Sequence, residues 1–87
     1  METFYTYILQ NTQSKKYYIG STNNLEDRLR RHNLGHSKAT KSGAPHWEIV
    51  YCEEFISRSL AIQREYKIKK MKSRKYIETL IARNSTD

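Results

Sequence analysis

The chain has 87 residues, enough for one domain, and carries 16 Lys and Arg against nine Asp and Glu, a formal net charge of +7. So short a chain buries only roughly 60% of the surface its unfolded form exposes, so the core is expected to be one thin layer, a small sheet with helices against it. Its single cysteine, Cys52, excludes an internal disulfide and a cysteine-rich zinc site, and the opening METFYTYILQ has neither a basic leader nor a membrane-length apolar run; the expected location is cytoplasmic.

Tyr5–Leu9 is aromatic, β-branched and aliphatic, which predicts a strand, and Tyr17–Ser21 predicts a second after a polar break. The short connection makes them an antiparallel hairpin. Asn23 followed three residues later by Glu26 resembles a capping box, Glu26 and Asp27 suit the positive end of a helix, and Gly35 suits a left-handed C-cap. A helix is expected from about Asn24 to Leu34. Gly43-Ala44-Pro45 marks a loop, and Trp47–Phe55 predicts a third strand with Cys52 as a small apolar residue within it. Ser57 can cap a helix running to about Lys72, and Ser73 a last one striped by Tyr76, Ile77, Leu80 and Ile81. The order ββαβαα describes an α+β fold, a small three-stranded, mainly antiparallel sheet flanked by helices, over residues 1–82, with 83–87 a frayed tail.

Between Arg58 and Lys75 stand eight basic residues, Arg58, Arg64, Lys67, Lys69, Lys70, Lys72, Arg74 and Lys75, and one acid, Glu65; this segment carries the whole excess charge. A polyanion is the natural partner, and a solvated face the plainer alternative.

Three features depart from simple patterning. Leu25 and Leu29 set the inward stripe of the first helix, and Arg28 and His32, four apart, lie along its rim, where both can reach one phosphate or simply meet water. Ala61, Glu65 and Ile68 share a stripe on the next long helix, so the only acid of the basic segment points inward. A lone inward carboxylate needs a partner, Arg28 or a lysine, or else a hard cation such as Mg²⁺. Tyr5 and Tyr7 share one strand face, while Tyr17 and Tyr18 fall on opposite faces.

These residues resemble the GIY-YIG nuclease family from about Phe4 to Ile81. Tyr18-Ile19-Gly20 matches the second half-motif; Tyr5-Thr6-Tyr7 occupies the first and keeps only its tyrosine. Arg28, His32 and Glu65 follow in the family's order. Ser37-Lys38-Ala39-Thr40-Lys41, Trp47-Glu48-Ile49-Val50-Tyr51 and Arg64-Glu65 look most like its small stand-alone bacterial branch, which is similar to the incision domain of nucleotide-excision repair. Some members carry a functional asparagine after the last helix; Asn84 is the one candidate, and no role is transferred to it. The resemblance implies a metal-dependent endonuclease on DNA, structure-directed and linked to repair or recombination, with Tyr7, Tyr18, Arg28, His32 and Glu65 as catalytic residues. Glu65 would hold Mg²⁺ or Mn²⁺, Arg28 would bind phosphate oxygens, and Tyr7 would serve as general base, with Tyr18 and His32 as the alternatives for that proton. Arg58, Arg64, Lys67, Lys69, Lys70 and Lys72, with Lys38 and Lys41, would bind DNA, leaving room for a partner protein that supplies specificity. The rivals are a nucleic-acid-binding module of the same fold without turnover, and a basic helix for a membrane surface.

If the basic segment neutralises about four to six phosphates, log K for DNA falls with log[salt] at a slope of roughly −4 to −5. Replacing Lys67, Lys69 and Lys70 together should flatten that slope and leave circular dichroism unchanged. An unaltered slope would make the segment a solvated face.

Overall fold

The computed structural model describes residues 2–84, at Asn84 without its side chain. Strand β1 (Phe4–Asn11) lies between β2 (Tyr17–Thr22) and β3 (Trp47–Phe55), antiparallel to both. Helix α1 (Leu25–Asn33) joins β2 to β3, and α2 (Arg58–Met71) and α3 (Arg74–Asn84) follow. The ββαβαα order and α+β class are as the sequence predicts, and no helix among the described residues is long and apolar enough to cross a membrane. Helix α3 continues to Asn84, into the stretch expected as tail; residues 85–87 and the Asn84 side chain lie outside the described residues.

The core is not the single layer expected from length. Period-two alternation splits the central strand between two clusters. Ile8 joins Ile19, Ile68, Ile77 and Leu80 on the α2 and α3 side, while Tyr7 and Leu9 join Trp47, with Leu25 and Leu29 packed against them, on the α1 side. Since β1 is covered on both faces, Thr6, Tyr7, Ile8 and Leu9 are all buried, a continuous run rather than an alternating one. A bulge in β3 opposite Ile8 and Leu9 inserts Val50, so that Val50 and Tyr51 both pack with the Ile8 cluster.

Local chemistry sets the helix ends. The N-cap of α1 is Asn24, one residue later than predicted: its side chain accepts from Asp27 N at 3.0 Å, while Thr22 Oγ1 accepts from Asn24 N at 3.1 Å and so turns the chain. Asn23 instead donates to Glu2. At the other end Gly35, at φ 80°, ends the helix as expected, with Gly35 N bonded to His32 O and His36 N to Arg31 O, the Schellman pattern. Asn33 then fixes α1 to β3 by donating to Trp47 O and accepting from Trp47 N, both at 2.9 Å. Ser57 caps α2 through Leu60 N, and Ser73 accepts from Tyr76 N.

Gly20 is the position where the sheet allows no side chain. A Cβ there would stand 2.5 Å from the Tyr7 hydroxyl and 2.7 Å from its Cζ. Gly20→Ala should therefore destabilise the protein by about 1–3 kcal/mol in urea unfolding, and the penalty should shrink when Tyr7 is shortened to Leu.

Candidate active site at the edge of strand β2

Pairing Tyr7 with Gly20 leaves the Tyr7 ring lying across β2, with its hydroxyl over the glycine. The ring is 1% exposed, so the phenol needs an internal partner. It finds His32 Nε2 at 2.9 Å, and His32 Nδ1 lies 2.7 Å from Thr40 Oγ1. Thr40 is buried too, and its carbonyl accepts from Trp47 Nε1 at 2.9 Å. Tyr18, half-buried, stands edge-on to His32 with ring centroids 4.9 Å apart. The expectation of His32 on a rim is corrected: it is fully buried, the only buried residue of α1, because it closes this polar chain.

Burial decides the electrostatics. Desolvation pushes the Tyr7 phenol up to about 12, outweighing the opposing pull of the Arg28 guanidinium beside it. That is the reverse of the depressed phenol a free-standing base would need. Desolvation also pulls His32 down to about 4, with the Arg28 charge acting in the same direction. At neutral pH both groups are uncharged.

Arg28 is the exception to this satisfied network. Its Nε is buried and has no hydrogen-bond partner, while the guanidinium lies close enough to the Tyr7 phenol to pull its pKa down through side-chain hydrogen bonding and through its charge. With Arg31, His32, His36 and Ser37 it lines a cavity of about 140 Å³ at the C-terminal end of α1. A buried guanidinium nitrogen without an acceptor costs about 1–3 kcal/mol or more. A phosphate oxygen would supply the missing acceptor.

Glu65 stands on the other side of the sheet. It projects from α2 to β2, where Ser21 Oγ donates to Oε1 at 2.8 Å and Lys69 Nζ meets Oε2 at 2.5 Å. Its side chain is only 14% exposed, so the inward placement holds, and a lysine, not Arg28, is the partner. Its charge still acts on the Tyr7 phenol. The edge strand thus has Tyr7, Tyr18, His32 and Arg28 over one face and Glu65 against the other. Among the described residues no group of three or more His, Cys, Asp or Glu could hold a metal ion. The donor set fits one carboxylate with a hydrated Mg²⁺-like cation, which keeps most of its waters, once Lys69 releases Oε2.

The cations expected at DNA are placed unevenly. Lys67, Lys70 and Lys72 on or after α2 are exposed, as are Lys38 and Lys41 in the α1–β3 connection. Arg58 lies over the Phe4 ring at 5.0 Å. Arg64 is committed elsewhere: its guanidinium forks onto the Glu53 carboxylate at 3.0–3.1 Å and also donates to Tyr76. Sequence reasoning missed Thr40, Ser21 and Asn33, because a small polar side chain carries no local signal of a partner distant in sequence.

A family model described as the GIY-YIG catalytic domain matches residues 3–77. A UPF0213 protein of Oceanobacillus iheyensis is 40% identical over 70 residues, 80% of each chain. Another, of Syntrophus aciditrophicus, is 42% identical over 73 residues, 82% of each. The solution NMR structure of the UPF0213 protein from Bacillus halodurans superposes with a TM-score of 0.57 at 30% identity, covering 92% of this chain and 83% of that one.

His32 should stay neutral from about pH 8 to about pH 5, and its ring resonances should titrate near 4. Its folded pKa lies below its unfolded value of 6.5, so its effect on stability is absent above 6.5 and grows as a penalty while pH falls towards 4. Urea unfolding should reveal a loss on the order of 1–2 kcal/mol between about pH 6.5 and pH 5. A His32 ring that titrates near 6.5 by NMR would contradict the buried chain.

Proposed function

This chain belongs to the GIY-YIG catalytic domain family, and from that premise we propose that it is an endonuclease hydrolysing phosphodiester bonds in DNA with one Mg²⁺ or Mn²⁺ ion. The observation that carries the proposal is the buried, partnerless Nε of Arg28 beside the Tyr7–His32 pair. It is a donor already desolvated and held by α1, so it stabilises an anionic phosphate without reorganising.

Tyr7 and His32 act as one proton-accepting unit. With hydrogen on Nδ1 donated to Thr40, the neutral imidazole offers Nε2 to the phenol. A water that attacks phosphorus gives its proton to Tyr7 Oη as the phenol proton passes to Nε2; the bond from phosphorus to the leaving oxygen breaks, that oxygen takes up a proton from solvent, and His32 releases its own to solvent. A phosphate at Arg28 offsets the charge that depresses His32 and so favours that transfer. Tyr18 closes the other side of the imidazole. A divalent ion on Glu65 would supply a counter-charge for the phosphate as negative charge develops on it.

Lys67, Lys70 and Lys72, with Arg58 and with Lys38 and Lys41 across the site, track the DNA backbone; Arg64 is left to its ion pair. With these cations directed at the phosphate backbone, the reading favours recognition of DNA structure, in repair or recombination and with a partner supplying further specificity. The Lys69–Glu65 ion pair and the raised Tyr7 phenol favour a second reading, a DNA-binding module of this fold without turnover.

Glu65→Gln separates the two. It keeps the Ser21 hydrogen bond and removes the charge that a hard cation needs. Nicking of DNA by the wild type in Mg²⁺ or Mn²⁺, lost in the variant and in chelator at unchanged DNA affinity, is the expected result. Cleavage by the variant at the wild-type rate would remove the metal from the mechanism, and an inactive wild type with tight DNA binding would favour the module.

A further inference from the structure

A second, larger cavity of about 310 Å³ opens beside Tyr18, between the β1–β2 turn and the α1–β3 connection. Its size is at the lower end of small-ligand sites, which run roughly 300–1,000 Å³. Its shape is fixed by hydrogen bonds across the gap. Asn11 Nδ2 donates to Gly43 O at 2.9 Å, Thr12 N to His46 O at 2.8 Å, and Asn11 Oδ1 accepts from Gln13 N and Ser14 N at 3.0 Å each. Gly43 allows the Asn11 amide and the Trp47 indole to close in, since a Cβ there would stand 2.6 Å from Asn11 Nδ2 and 2.7 Å from the indole.

The wall pairs aromatic surface with uncommitted polar groups. Tyr17, Tyr18 and Trp47 are its aromatic lining residues. The side chains of Gln13, Lys16, Ser42 and His46 also line it, and none has a hydrogen bond or ion pair among the described residues. Free donors and acceptors around a rigid, partly aromatic pocket suit a heterocycle with a polar edge. Tyr18 joins this cavity to the first, because its ring contacts His32, which lines the Arg28 cavity.

We propose that this cavity is a subsite for one unpaired nucleoside of the DNA strand beside the scissile phosphate, with its base against Tyr18 and Trp47 and its polar edge met by Gln13, Ser42 and His46. The inference rests on the nuclease reading of the Arg28 side, and it narrows the substrate to DNA with a displaced nucleotide next to the cut. A base pair is too large for the space, so the base enters alone. Lys16 at the mouth supplies a cation for the flanking phosphate.

The test compares two DNAs of equal length and charge in chelator, so that nothing is cut. One is a continuous duplex, and the other carries a single displaced 2-aminopurine nucleotide. The wild type should bind the second roughly tenfold more tightly, the worth of one stacked base, with a change in 2-aminopurine fluorescence. Ala39→Leu, which fills the cavity from an exposed position, and His46→Ala, which strips its rim, should each remove that preference and leave duplex affinity and circular dichroism unchanged. Equal affinity of the wild type for the two DNAs, or a preference that survives both substitutions, overturns the subsite alone. A wild type that binds neither DNA overturns the nuclease reading and the subsite together.

Discussion

A phenol buried at the centre of a three-stranded sheet governs this structure. Tyr7 is 1% exposed, so its hydroxyl needs an internal partner or about 1–3 kcal/mol is forfeited. The partner comes from α1, which must hold His32 completely inside, and His32 in turn requires the Thr40 hydroxyl. These demands propagate outward. Asn33 fastens α1 to the first residue of β3, the Trp47 indole holds the Thr40 carbonyl, and Gly20 yields the space over β2 that the ring occupies.

The same burial sets the charge state of the site. Tyr7 has its folded pKa above its unfolded value of 10, so its contribution to stability is present below 10 and is lost as pH rises towards 12. His32 works from the acid side through its depressed pKa. Between the two lies a broad neutral window in which the buried pair carries no charge and Arg28 is left as the cation nearest to it. Among the described residues no carboxylate forms an ion pair with Arg28, so its buried Nε lies beside an uncharged hydrogen-bonded pair. Glu65 holds its negative charge apart, across the sheet edge on Lys69 and Ser21.

Much of this was legible in the sequence, because the signals were local. The three strands, the caps Ser57 and Ser73, the Gly35 ending and the inward position of Glu65 follow from alternation, capping chemistry and helical spacing. What escaped was set by distant partners. Asn23 and Asn24 are equivalent as caps until Thr22 accepts from the Asn24 amide and Asn23 turns to Glu2. His32 reads as a rim residue on helical spacing, because only the position of Tyr7, 25 residues away, requires it inside. Arg64 reads as a free cation within a basic run until Glu53 on β3 faces it in a half-buried ion pair. The covered second face of the sheet escaped as well, since length alone does not say that α1 folds back over Tyr7 and Leu9.

The altered first half-motif finds its explanation in strand geometry. Successive residues of β1 face opposite sides of the sheet, so of Tyr5, Thr6 and Tyr7 only the odd positions can look towards α1. Thr6 is on the α2 side, buried, with Oγ1 donating to Ala61 O at 2.7 Å. It anchors the helix that carries Glu65 and cannot touch Arg28 or His32. Tyr5 lies on the α1 side but one pair further along, opposite Thr22, where the chain leaves β2 for the helix cap. Tyr7 alone stands opposite the glycine of Tyr18-Ile19-Gly20. A different residue at position 5 or 6 therefore changes packing at the strand's margin or beneath it, whereas a different residue at 7 or 20 removes the phenol or the space for it. The half-motif retains the one position that the site geometry requires.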